Sequence, residues 1–344
     1  MENTDKKKKN EKPVIGITLG DINGIGPEII IKSLNDNRLI KYITPVIYGS
    51  TKVLSYYRKG LDINDFNYSQ VKDDFINFKK INVVNCWEEV VEINPGTIDD
   101  TTGIYAFKAL EKGMDDLTVE KIDALVTGPV NKKLIQGENF DFPGQTEYIT
   151  SKSGEKDSLM MMASDSIKVG LVTAHVPVKD VARFITRETI ESKIKIFLKS
   201  LKQDFGINKP RLAVLGLNPH AGDDGLIGPE EKEIITPVIE DFNTRGNLVF
   251  GPFPSDGFFA VAQYRSFDGV LAMYHDQGLI AFKILSFEDG VNYTAGLKVI
   301  RTSPDHGTAY DLAGKNEANE NSMRSAIYMA REIYFHRNPE LEKD

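Results

Sequence analysis

The stretch GVLAMYHDQGLIAFK, Gly269 to Lys283, opens as an apolar run and then breaks into Tyr274-His275-Asp276-Gln277-Gly278. A run this short and apolar reads as a buried strand. In open α/β sheets, ligands gather beyond the carboxyl ends of the strands. A histidine and an aspartate at such an end raise a question for the rest of the chain. If other strands end the same way, the stretch defines both a fold class and a site.

Eight further apolar runs read as strands: Pro13–Gly20, Thr44–Ser50, Lys80–Asn85, Asp123–Val130, Ile167–His175, Arg211–Asn218, Asn247–Phe253 and Ala295–Thr302. The quoted stretch supplies the ninth, Asp268–His275. Amphipathic segments lie between several of them. Gly26–Ile43 places Pro27 in a first turn and Ile29, Ile30, Leu34 and Leu39 near helical spacing. Thr186–Gly206 opens on a capping pattern, Thr186 with Thr189, and is apolar at Ile190, Ile194, Phe197, Leu198 and Leu201. This alternation predicts an α/β fold with a largely parallel sheet and helices on both faces.

At 344 residues the chain is too long for one ordinary core and suits two domains, or one large one. The turn-rich Gln136–Glu147 segment marks a junction near residue 140, and the helical pattern Glu320–His336 is expected to return to the first domain. The expected division is 1–12 as a disordered tail, 13–140 plus 306–344 as a first α/β domain, and 141–305 as a second. The N-terminal MENTDKKKKNEK is polar and lacks the apolar core of a secretory signal.

The formal charge of -8 argues against nucleic acid or an anionic membrane as partner. It leaves room for a phosphorylated small molecule in a local basic pocket. No apolar run approaches the roughly 20 residues of a membrane helix. The single cysteine, Cys86, forbids an intrachain disulfide and fits a reducing cytoplasm. Beside Trp87, at the end of an apolar run, it reads as a packed thiol.

The break after Met273 recurs. One run ends on His175, another on Asn218 and His220, and a third on His275 and Asp276. Neutral imidazoles suit zinc and similar divalent ions, and a catalytic site has three protein ligands and an open position. Each histidine taken alone also reads as a hydrogen-bonded structural residue. Their separations, 45 and 55 residues, are not local metal motifs, so only the fold can unite them. His336 reads as surface.

Other strand ends add Asn131, Lys132 and Lys133, and Asp256 within Pro-Ser-Asp-Gly. Asp256 suits a metal ligand, a partner for histidine, a proton acceptor or simple turn chemistry. The glycine-rich LGDINGIGPEI, Leu19 to Ile29, matches neither GxGxxG nor a P-loop, so it shows a tight turn or close backbone approach. Asp21 and Glu28 there suit caps or ligands. Lys283, Lys298 and Arg301, with Asn292 between them, are candidates for holding phosphate or carboxylate.

Assembled, these segments resemble the 4-hydroxythreonine-4-phosphate dehydrogenase family across nearly the whole chain. LGLNPHAGDDGLIGPEE (Leu215–Glu231), LAMYHDQGL (Leu271–Leu279) and GVNYTAGLKVIRTSPDHGTA (Gly290–Ala309) carry the resemblance most specifically. It implies an isocitrate/isopropylmalate dehydrogenase-like fold of two α/β/α domains with the active site in the interdomain cleft. It implies cytoplasmic homodimers that bind one divalent ion through His175, His220 and His275, the site being completed across the interface. Zinc is the first choice, with magnesium, manganese and cobalt as others. Thr146, Lys283, Asn292 and Arg301 align with substrate contacts, and Asp256 falls near the metal.

The loop Asp305–Asn319, DHGTAYDLAGKNEAN, resembles the dinucleotide loop of isocitrate and isopropylmalate dehydrogenases. By that likeness His306, Gly307, Asp311 and Asn316 are candidate NAD contacts. The family's substrate-binding histidine is Gln145 here, which cannot carry a proton at neutral pH. The family's "GDPAGIGPE" and "PADT" are likewise "GDINGIGPE" and "PSDG".

The expected activity is NAD- and metal-dependent oxidation and decarboxylation of 4-phosphooxy-L-threonine to 3-amino-2-oxopropyl phosphate, a step toward pyridoxal 5'-phosphate. Lys132, Asp256 and water are the acid-base candidates. Three alternatives stand beside it: the same chemistry on a four-carbon sugar-acid 4-phosphate, a metal-dependent phosphate-ester hydrolase, and a non-catalytic ligand sensor.

Overall fold

A computed structural model describes residues 12–341 apart from 37, 73, 74, 138 and 139. The expected disordered tail therefore falls outside the described residues, except Lys12, whose Nζ donates to the Ile40 carbonyl at 3.1 Å.

Twelve strands form one sheet among the described residues. They are β1 Val14–Thr18, β2 Thr44–Gly49, β3 Tyr68–Gln70, β4 Ile81–Asn85, β5 Ala124–Thr127 and β6 Leu159–Ala163. There follow β7 Lys168–Leu171, β8 Arg211–Leu215, β9 Leu248–Phe253, β10 Gly269–Ala272, β11 Val291–Ala295 and β12 Arg301–Pro304. Their order is β3-β4-β2-β1-β5-β12-β11-β6-β7-β10-β8-β9. The first six positions are mutually parallel, as are the last four. Between them β12-β11, β11-β6 and β6-β7 are antiparallel. The two parallel blocks therefore run in opposite directions. The central strands β1, β2, β5 and β10 are buried at every residue, as strands covered on both faces must be.

All nine expected strand regions contain strand, but the last is misplaced. Ala295–Thr302 is not one strand: the chain turns at Gly296, with φ +93°, between β11 and β12. Its apolar Leu297 and Ile300 are buried in that connection instead. Strands β3 and β6 and most of β11 were not anticipated. β6 reads Leu-Met-Met-Met-Ala, without the β-branched residues that signal a strand, and takes its form from pairing on both sides. Gly26–Ile43 likewise divides into helices Gly26–Leu34 and Leu39–Tyr42, with Pro27 in the first turn of the former as expected. Thr186 caps the helix Arg187–Gln203 by accepting from Thr189 N at 3.2 Å. The C-terminal helix Asn321–Arg337 packs on β12, β5 and β11, burying Met323, Ala326, Ile327, Ala330 and Ile333.

The glycine-rich turn after β1 is a docking place for the chain's own backbone. A Cβ on Gly24 would lie 2.9 Å from the Thr308 carbonyl, and one on Gly26 only 2.2 Å from the Leu19 carbonyl. Buried Asp21 accepts from Thr102 Oγ1 at 3.1 Å and Tyr310 Oη at 2.6 Å. Buried Glu28 takes Lys32 Nζ at 2.7 Å and Ala318 N at 3.0 Å. Both acids thus clamp the 306–318 segment onto the start of the first parallel block. Cys86 is largely buried, and burial pushes its thiol up to about 12, which fits a packed, unreactive group.

Candidate active site

The junction of the two blocks holds a cavity of about 370 Å³. The first block supplies Gly128 and Lys132 beyond β5, with Arg301 and Ser303 of β12. Gln145 and Thr146 come from the first turn of the helix Gln145–Lys152. From the other side come His175 beyond β7, His275 and Lys283 of the helix His275–Ser286, and Asn292 of β11. Asp305, His306 and Gly307 complete the lining. The cavity therefore gathers ten residues singled out from the sequence: Lys132, Gln145, Thr146, His175, His275, Lys283, Asn292, Arg301, His306 and Gly307.

The imidazoles of His175 and His275 lie with ring centroids 6.2 Å apart. Metal–nitrogen bonds of about 2.1 Å place two imidazoles on one cation roughly 5 to 6 Å apart, so this pair is close to bridging distance. His275 Nδ1 meets Asp276 Oδ1 at 2.7 Å, leaving Nε2 as its unpaired nitrogen. His175 lies between a cation and an anion: Nε2 is 3.2 Å from Lys132 Nζ, and Nδ1 is 3.6 Å from Glu147 Oε1. His175 in turn holds the Glu147 carboxyl below its usual range.

His220 does not line the cavity. It sits exposed in the turn Pro219–Gly225 beyond β8. Among the described residues, no group of three His, Cys, Asp or Glu side chains of one chain is placed to hold a metal. Asp256, exposed in the helix Ser255–Ala260, also lies outside the cavity lining. So does Asp311, which is exposed. Asn316 lines a second cavity of about 640 Å³ with Glu28, Tyr56, Tyr57 and Gly314.

Arg301 is the strongest electrostatic feature. It is 3% exposed, and its guanidinium donates to three hydroxyls: Thr127 Oγ1 at 2.6 Å, Thr294 Oγ1 at 3.1 Å and Thr146 Oγ1 at 3.3 Å. Among the described residues, no carboxylate pairs with it directly. Burial pushes its pKa down to about 10, with Glu147 partly opposing. A buried cation served only by neutral acceptors is set for an anionic ligand. Lys283 adds charge at the same wall, its Nζ 3.2 Å from Asp305. Burial raises the Asp305 carboxyl and lowers the His306 imidazole. Gln145 Oε1 and Asn292 Oδ1 are buried without a partner, so two amide groups in this wall await one.

Sequence reasoning missed Glu147, Asp305 and the hydroxyls of Thr127 and Thr294. Glu147 and Asp305 lie inside segments already singled out, and a carboxylate one or two residues from a candidate was available as a signal. The threonines carried none, since a strand hydroxyl looks the same whether it faces core or site.

A doubly covered α/β sheet with an imidazole pair and a buried guanidinium at its junction defines an enzyme for small anionic substrates. The chain belongs to the family described as pyridoxal phosphate biosynthetic protein PdxA, whose pattern matches residues 41–330. It is 50% identical over 331 residues to a 4-hydroxythreonine-4-phosphate dehydrogenase of Bacteroides thetaiotaomicron, covering 96% of this chain and 90% of the relative. An Oceanobacillus iheyensis relative with the provisional name D-threonate 4-phosphate dehydrogenase is 39% identical, covering 94% of this chain and 98% of its own. The crystal structure of a 4-hydroxythreonine-4-phosphate dehydrogenase from Klebsiella pneumoniae superposes with a TM-score of 0.79 at 34% identity, covering 94% and 98% of the two chains. Among the described residues, no helix is long and apolar enough to cross a membrane.

Proposed function

We propose that the chain oxidises and decarboxylates 4-phosphooxy-L-threonine with NAD and a divalent ion, in the cytoplasm, as a step of pyridoxal 5'-phosphate synthesis. The observation that carries this reading is one cavity in which a buried, carboxylate-free Arg301 faces an imidazole pair. Its volume, about 370 Å³, suits a small phosphorylated metabolite. The relatives' names add the reaction.

In this reading Arg301, Lys283, Asn292 and Thr146 hold the substrate's phosphate and carboxylate and so fix the orientation of its reacting carbon. Lys132 is the proton carrier on this chain, because it stands in the cavity beside His175 whereas Asp256 stands outside it. His175 and His275 would hold the divalent ion together with His220 of the partner subunit. When bound, that ion supplies Lewis acidity toward the substrate's oxygens, and zinc suits an all-imidazole donor set best. Glu147 orients the His175 ring.

The NAD reading is supported by the loop after β12. His306 and Gly307 line the first cavity, while Ala313, Gly314 and Asn316 of the same loop line the second. One loop thus borders two cavities, which supports a ligand with two nucleotide halves. Asp311 lies on it between them.

The homodimer is supported by uncovered apolar side chains on the elements that carry the histidines. Ile280, Ile284 and Phe287 are exposed along and just past the His275 helix, Ile284 at 79%, and Leu226 after the His220 turn is 83% exposed. Covering these by a second copy is the expected use of such surface. A division into two lobes, 13–140 plus 306–344 and 141–305, goes with this reading, although β12 pairs in the first parallel block.

A second substrate is favoured by Gln145 and by the D-threonate relative: a four-carbon sugar-acid 4-phosphate. NADH absorbance with 4-phosphooxy-L-threonine and D-threonate 4-phosphate side by side, with and without chelator, tests both. NADH formation that chelator abolishes is expected with the amino acid. Phosphate release without NADH would replace the proposal with a hydrolase.

A further inference from the structure

The turn that carries His220 has an unusual backbone. Its φ is 54° at His220, 51° at Ala221, 44° at Asp223 and 54° at Asp224, with Gly222 at 81° between them. L residues avoid this left-handed region, and consecutive ones do so strongly. Surrounding structure must impose such a run, and strain of this kind gathers at functional sites.

Glu231 lies against this turn. It is 4% exposed, at the start of the single wide turn Glu231–Ile235. Asn218 N donates to its Oε1 at 2.7 Å and Asn218 Nδ2 donates to its Oε2 at 2.9 Å. Asn218 Nδ2 also reaches Glu230 Oε2 at 2.8 Å. Glycines make room for the carboxylate: a Cβ on Gly222 would lie 2.6 Å from Oε2, and one on Gly216 would lie 3.1 Å from Oε1. Among the described residues, no cation pairs with it. Gln277 ties the same strand end to the His275 side, donating Nε2 to the Gly216 carbonyl at 2.6 Å and accepting from Met273 N at 2.7 Å.

We infer that Glu231 is a positioning residue for the reaction. It grips Asn218 through backbone and side chain and thereby holds the left-handed turn that presents His220. A buried carboxylate with only neutral donors carries a desolvation cost. The inference rests on the role of His220 at the metal.

The test is a Co(II) titration of the full-length protein, followed by visible absorption, on the wild type, Glu231→Ala, Glu231→Gln and His220→Ala, with melting curves for each. His220→Ala is expected to lose the Co(II) spectrum. Glu231→Ala should weaken Co(II) binding roughly 10- to 100-fold, the range for groups that orient ligands. Glu231→Gln should fall between, since its amide oxygen still accepts from Asn218 N but its NH2 faces the Asn218 amide. Unchanged Co(II) affinity and spectrum in folded Glu231→Ala, or a lower melting point alone, overturns the role while leaving His220 as a ligand. Should Glu231→Ala not fold, Glu231→Gln decides by the same readout. Wild-type Co(II) binding in His220→Ala removes His220 from the metal site, and this inference with it.

Discussion

Lys132 Nζ stands 3.2 Å from His175 Nε2. A protonated lysine can only donate, so in this state Nε2 is the lone-pair nitrogen of the ring and Nδ1, facing Glu147, carries the hydrogen. A proton donor and a candidate metal nitrogen therefore share one contact, and an ion held at Nε2 would take the lone pair that the lysine now uses. Replacing Lys132 by methionine keeps most of the side chain's length and removes the proton. The expected result is a fall in kcat of about 10²- to 10⁴-fold, the usual weight of a positioned acid-base group, with the melting temperature nearly unchanged. Stopped-flow NADH formation reads it, and wild-type turnover would exclude Lys132 as the proton carrier.

Arg301 is expected to destabilise the ligand-free protein and to stabilise the liganded one. Burying a cation without a carboxylate is costly, and an apolar substitute of similar shape is often neutral or better. Arg301→Met should therefore melt at or above the wild-type temperature when empty. Millimolar inorganic phosphate should raise the melting point of the wild type and not of the variant, with kcat/KM down about 100-fold. Equal protection of both proteins by phosphate would place the anion elsewhere.

Gln145 donates Nε2 to the Gly128 carbonyl at 3.2 Å, and its buried Oε1 has no partner. Histidine there would gain a positive charge below its ordinary pKa of about 6.5. Gln145→His should lower KM for a phosphorylated substrate as pH falls from 7.5 to 6, a trend absent from the wild type. Parallel pH profiles of KM for the two proteins would show that residue 145 does not touch the phosphate.

Burial lowers the pKa of His306, so the native state holds fewer protons there than the unfolded chain does. Stability then rises with pH between the lowered native value and about 6.5, and is lost on acidifying through that window. His306→Gln removes this contribution while leaving Asp305 and Lys283 in place. Urea unfolding from pH 5 to 7.5 should show a shallower slope for the variant, and identical slopes would mean that His306 is not held neutral by its surroundings.

Ile284 is exposed on the His275 helix and, in the proposed dimer, covered by a second copy. Ile284→Asp should convert the enzyme to monomers on light scattering and reduce activity at least 10-fold, because the proposed ion site is shared. A fully active monomer would place all the necessary groups on one chain.

The features legible along the chain were local: which short runs are buried strands, where Pro27 and Thr186 begin helices, and that several strands end on histidine, lysine or asparagine. Those features follow from side-chain periodicity and from the backbone chemistry of single residues, which neighbours along the chain settle. The antiparallel centre was not visible, because Leu159–Ala163 has no strand-forming composition and becomes a strand only through pairing with β7 and β11. Nor could spacing say which polar strand ends meet. The strand order brings β7 beside β10, so His175 meets His275, while β8 carries His220 one strand further out and Asp256 follows beyond β9. Convergence depends on the crossover connections of the sheet, and these are fixed by packing between residues distant in sequence. The tertiary structure alone therefore brought Glu147 and Asp305 into the cavity, left Asp256 outside it and put His220 on an exposed turn held by Glu231.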